Sequence, residues 1–188
     1  MLAKLARYLL PALAVLITIG SLYNSWGTSR ANTLVDEGNA ASEAADALVV
    51  QHAPNFKVLF SNANLQGFPG DRERHQGSAR ETAESFEKAA GLYRVAASKL
   101  EEASRQPVGK PNAAYFAAKA QSFHQLADSK ETYGTAVRLL LDETITHVDA
   151  LKLKVEPLIT QALAASAESD KFNADAQQII DTHKEDFQ

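Results

Sequence analysis

The sequence predicts an all-α protein: an N-terminal transmembrane helix followed by an up-down-up bundle of long, coiled-coil-like helices. Three observations carry this prediction. Alanine supplies 33 of the 188 residues; it is the strongest helix former, whereas the β-branched and aromatic residues that favour strands are sparse. The 22 residues between Arg7 and Arg30 carry no formal charge. Along the remainder, apolar residues recur at alternating steps of four and three, the signature of one helical face. An apolar fraction of 45% is enough for a real core and excludes a wholly disordered chain.

Residues 1–7 form a basic tail containing Lys4 and Arg7, and the stretch from Tyr8 to Tyr23, YLLPALAVLITIGSLY, is almost wholly apolar. About 20 residues at 1.5 Å each span a hydrocarbon core of about 30 Å, so residues 8–26 suffice as an anchor in the lipid bilayer. Tyr8 at one end, and Tyr23 with Trp26 at the other, suit the headgroup layer. A cleaved signal peptide would share the basic start, but no small-residue cleavage pattern follows in LYNSW. A buried core helix is the other alternative, and the run has no polar face to show to water. Lys4 and Arg7 precede the span, while Arg30 is soon followed by Asp36 and Glu37. The positive-inside rule then makes this a single-pass signal-anchor with a cytoplasmic tail and a periplasmic or extracellular domain.

The domain is expected over 27–168 as an antiparallel bundle, with loops at 62–77 and 106–112 and a helical C-terminal extension at 169–188. In the first helix Leu34, Gly38, Ala41, Ala45, Leu48 and His52 share a face. The segment NANLQGFPGDRERHQG, with three glycines and a proline, reads as a loop. The second helix starts near Ser78, with core row Phe86, Ala90, Tyr93, Ala97 and Leu100, and QPVGKPN ends it. The third is expected to run from Asn112 onward. Its four-three alternation, from Phe116 through Val137, Thr144 and Leu151 to Leu158, lasts six heptads and predicts a left-handed supercoil. Residues 113–155 alone would reach about 65 Å. Such a helix would outrun its shorter partner, leaving an uncovered seam over 113–168 for a protein partner or self-association. Pro157 should kink it, and a break is expected around Ser169 and Asp170.

Reactive groups are few. The absence of cysteine excludes disulfides, thiolate metal sites and a cysteine nucleophile. After residue 7, 17 Lys and Arg face 23 Asp and Glu, a net of −6 that argues against nucleic-acid binding. The five histidines form no Glu-x-x-His or His-Glu-x-x-His motif. The nearest spacings, His124 with Asp128 and Glu143 with His147, suit surface hydrogen bonds better than a metal. No Walker loop, nucleophile elbow or dinucleotide turn occurs. No cofactor and no enzymatic activity are expected. Phe68, Arg72, Arg74 and His75 are the candidates for contact with a partner, because DRERH is the densest charge cluster and Phe68 lies in a glycine-proline setting. The bland alternative is a solvated loop tip in which Phe68 closes the end of the bundle.

Two resemblances bear on architecture. ESFEKAAGLYRVAASKLEEA has the small–aromatic–small rhythm of tetratricopeptide repeats, but no second copy follows at a fixed period. The membrane helix ending in YNS, the long helix after it and the proline step QHAPNFKVLF are similar to the LemA family of membrane-anchored helical proteins. The basic residues expected before the proline step are missing, and the resemblance would imply no enzymatic activity. The expected function is a membrane-anchored structural or interaction module of the cell envelope. The alternative is a helical ligand-binding or sensing ectodomain that signals through a partner.

Overall fold

A computed structural model describes the backbone of residues 2–187 and the side chains of residues 27–186. All of its regular structure is helical: α1 (Leu2–Leu59), α2 (Asn62–Gln66), α3 (Arg72–Ser104), α4 (Lys110–Arg138) and α5 (Val148–Thr182), with 3₁₀ turns at Leu139–Leu141 and Lys184–Phe187. The predicted anchor at 8–26 lies outside the residues whose side chains are described. Among the described residues, no helix is long and apolar enough to cross a membrane.

The long helices run up, down, up and down, and each packs on its neighbour in sequence: α1 on α3, α3 on α4, α4 on α5. Four helices rather than three is the main departure from the sequence-based expectation. The predicted third helix stops at Arg138, turns over Leu139–His147 and returns as α5 along α4. Asp142 explains the stop. Its backbone is extended, and its carboxylate accepts the Thr144 backbone N–H at 3.0 Å and the Thr144 hydroxyl at 2.6 Å. This local turn competes with helical hydrogen bonding. His147, also extended, then starts α5. The heptad register survives the turn in sequence but not in space, so no projecting seam exists over 113–168.

Other boundaries shift for local reasons. The expected loop 62–77 contains α2, and α3 begins at Arg72, so DRERH lies at and within the start of a helix. Its glycines mislead because none of the described glycines has a positive φ, and Gly77 is helical. The Ser61 hydroxyl caps α2 by accepting the Asn64 N–H. Gly109 rather than Asn112 precedes α4, with Pro111 in its first turn. The break expected near Ser169 is absent, and α5 includes both Pro157 and Ser169. The polar residues that suggested the break pair across a seam instead: the Ser122 and Ser169 hydroxyls share a 2.8 Å hydrogen bond, as do those of Ser129 and Ser166.

Small side chains set the spacing of the helices. Thr82, Ala89, Ala96 and Ala103 recur every seven residues on α3, and Val155, Ala162, Ser169 and Ala176 do so on α5; all eight are buried. Tyr93 and Phe123 stack between α3 and α4 with centroids 6.0 Å apart, beside Ala45 of α1. Tyr93 is only 2% exposed, and burying side chains of this size contributes about 1.5–3 kcal/mol each. Ion pairs at the edges fix the register: Lys99 with Glu37 at 2.6 Å, Arg30 with Glu102 at 3.1 Å, and the Arg138 guanidinium forked on Glu87. The hydrogen bond from Arg138 holds the Glu87 carboxyl below the usual carboxylate range. These pairs are partly exposed and select the alignment more than they stabilise it.

Two glycines test the close seam. Gly91 is exposed, and a Cβ added there meets nothing within 4 Å. Gly91→Ala is therefore expected to raise stability by about 0.5–1 kcal/mol. A Cβ at Gly134 would stand 3.2 Å from the backbone oxygen of Ala83. Gly134→Val must push α4 off α3 and should cost about 1–3 kcal/mol. Urea unfolding of both variants, followed by circular dichroism, measures the difference; a Gly134→Val protein as stable as the parent would contradict the seam.

Candidate functional site

The residues singled out at 68–75 divide into two groups. Arg72 donates to the Leu140 carbonyl from Nε at 3.2 Å and to the Ile145 carbonyl from Nη2 at 2.5 Å. Its guanidinium lies 4.9 Å above the Phe68 ring. Phe68 is half-buried and packs against the far-end core of Leu59, Ala79, Leu140 and Ile145. These two side chains are thus engaged in closing the bundle and clamping the α4–α5 reversal. Arg74 points to solvent, three-quarters exposed, with Asp71 3.6 Å away. His75 is half-buried and lines a small hollow with Asp71 and Arg72. Of the four, Arg74 is the most exposed, and it is ion-paired with Asp71.

The histidines stay apart. His124 bonds Glu101 of α3 at 2.9 Å, while Asp128 is engaged by Arg94 at 3.4 Å, so the predicted i, i+4 pair is not formed. Both bonds cross helices, which one-helix spacing could not reveal. His147 precedes α5, and His52 is buried with an unpartnered Nδ1. Among the described residues, no three His, Asp or Glu side chains converge as a metal site.

A different feature emerges from the order of packing. α1 packs on α3 and only touches α4, α5 packs on α4, and α1 and α5 form no packed seam with each other. Along α4 runs one stripe, Phe116, Lys119, Phe123, Leu126, Lys130 and Tyr133, in which Phe123 is buried in the core and the other five are half-buried. Their four-three spacing places these six residues on one side of the helix. Near the middle, the Tyr93 hydroxyl reaches from α3 and donates to Asp46 of α1. Burial, with Asp46 second, pushes the Tyr93 phenol above its usual range. The Lys119 ammonium donates to Asn173 of α5 at 2.7 Å. The Lys130 ammonium lies 5.6 Å over the Tyr133 ring. Burial holds both lysines below the ordinary lysine range, and the field of Asp46 opposes that shift.

Each end of this face opens into a cavity. One of about 500 Å³ lies at the near end between Ala31 and Val35 of α1 and Tyr115 and Phe116 of α4. Another of about 410 Å³ lies at the far end, walled by Phe56 and Phe60 of α1, Leu65 of α2 and Leu151, Val155 and Ile159 of α5. Val50 of α1 is 73% exposed and Leu163 of α5 56% exposed. The sequence reading missed this stripe because lysines on a helix are ordinarily solvated. Lys119 and Lys130 in step with Phe116, Phe123, Leu126 and Tyr133 were the available signal. Comparison with protein-family models, with curated proteins and with solved structures finds no match.

Losing Arg72 would leave two carbonyls at the reversal without their donor. Arg72→Ala is expected to cost about 1.5–3 kcal/mol of stability, whereas Arg74→Ala should stay within about 0.5 kcal/mol of the parent. Equal melting behaviour of the two variants would show that Arg72 does not clamp the turn.

Proposed function

We propose that the protein is a membrane-tethered, non-enzymatic interaction module of the cell envelope. Residues 8–26 hold it in the bilayer, residues 1–7 face the cytoplasm, and the helical domain faces the periplasm or the exterior. The observation that supports this reading most strongly is the open face between α1 and α5. α1 and α5 each expose an apolar side chain, Val50 and Leu163, and form no packed seam with each other. Exposed apolar surface of this kind marks an interaction site. The partner surface is therefore this face, not a projecting coiled coil. A second reading, a ligand-binding ectodomain that signals through a partner, is favoured by the far-end cavity of about 410 Å³, a size within the range of about 300–1,000 Å³ of small-molecule sites.

A photocrosslinking amino acid at Val50 or Leu163 of the full chain, irradiated in its native membranes, tests the interaction reading. Both positions should capture the same partner, identified by mass spectrometry, while the exposed position Glu84 on α3 should not. Capture at Glu84 equal to that at Val50 and Leu163 would remove the open face as the partner surface.

A further inference from the structure

We propose that the far-end cavity binds a long-chain carboxylate, a free fatty acid, with the Lys130 ammonium as counterion for its head group. This rests on the second reading above, in which the open face receives a small ligand. Lys130 is half-buried, and among the described residues no carboxylate lies within ion-pair range of it. A desolvated cation that meets only a ring face is costly, and an incoming anion removes that cost. Asp46 acts on Lys130 only through its field, since its carboxylate accepts the Tyr93 hydroxyl. Lys119 differs in that one of its ammonium protons is already donated to Asn173 of α5.

Lys130 lies outside the cavity wall, and a series of ring contacts runs from it to that wall. Lys130 sits 5.6 Å over Tyr133, Tyr133 meets Phe56 edge-on at 5.1 Å, and Phe56 lies 4.9 Å from Phe60. Phe56 and Phe60 both line the cavity, whose other apolar walls are Leu151, Val155 and Ile159. Lys152 and Glu156 on the α5 side carry opposite charges and give the wall no net sign. The arrangement thus offers a half-buried cation, a series of ring contacts and an apolar terminus. A single-chain anionic amphiphile matches that order. A fatty alcohol of equal length would lack the charge, and a two-chain phospholipid would exceed the single track.

The test uses the full chain in lipid nanodiscs with a palmitate analogue carrying a photoreactive diazirine near its methyl end. Label is expected in the peptides bearing Phe56, Phe60, Leu151 and Ile159, displaced by palmitate but not by hexadecanol. Loss of a charge-assisted contact should reduce labelling about tenfold or more in Lys130→Met, and Lys130→Arg should retain it. Circular dichroism checks that both variants fold. Unchanged labelling in Lys130→Met, equal displacement by hexadecanol, equal labelling by a photoreactive phospholipid, or label confined to residues 8–26 would each overturn the proposal. If fatty-acid label is absent while Val50 and Leu163 still capture a protein, the ligand proposal fails and the interaction reading stands. If both are absent, both fail.

Discussion

The reversal between α4 and α5 depends on Arg72. Its guanidinium, set at the start of α3, donates to the carbonyls of Leu140 and Ile145 on either side of the turn. Carbonyls freed where a helix ends need donors, and one planar fork supplies two at once. Phe68 supports the clamp from beneath, while Leu140 and Ile145 sink into the far-end core. With the chain so turned, α5 has one course available: back along α4, where Ala162, Ser169 and Ala176 are buried. Everything distinctive about the molecule follows from that return.

Close seams then decide what the bundle leaves open. Alanine, serine and glycine at seven-residue intervals let each helix approach its sequence neighbour closely, and the hydroxyls of Ser122 with Ser169 and of Ser129 with Ser166 satisfy each other, while the buried Thr82 hydroxyl has no partner among the described residues. Such consecutive packing leaves α1 on α3 and α5 on α4, with no seam between α1 and α5. The surface between them is neither core nor ordinary exterior. It holds aromatic rings, two half-buried lysines and a tyrosine–aspartate hydrogen bond. The lysine stems cover apolar surface.

Much of this was legible from spacing alone. The rows Leu34 to His52 and Phe86 to Leu100 lie in the core as the periodicity predicts, because a strong helix former with one apolar face has a single way to bury it. The reversal was not legible. Thr144 and Val148 kept the heptad rhythm across a segment that is not helical, and the cue that outweighs rhythm is a single Asp side chain competing for a backbone N–H two residues on. Tertiary contacts made the rest invisible. Arg72 finds its carbonyls 68 and 73 residues away, and the half-buried state of Lys119 and Lys130 depends on where α1 and α5 lie. Phe68, which the sequence left between a partner anchor and a bundle cap, is half-buried over the far-end core with Arg72 above it.

A disulfide across the α4–α5 seam tests the account most directly. The chain contains no cysteine, so Ser122→Cys with Ser169→Cys would introduce its only two thiols. In the reversed fold these positions have hydroxyls 2.8 Å apart, whereas a continuous third helix would separate them by about 70 Å. Mild oxidation of the full chain should produce an intramolecular disulfide, seen as a faster band on non-reducing gels and as a linked peptide by mass spectrometry. Free thiols or links only between separate chains, in protein that circular dichroism shows to be folded, would contradict the reversal and with it the open face.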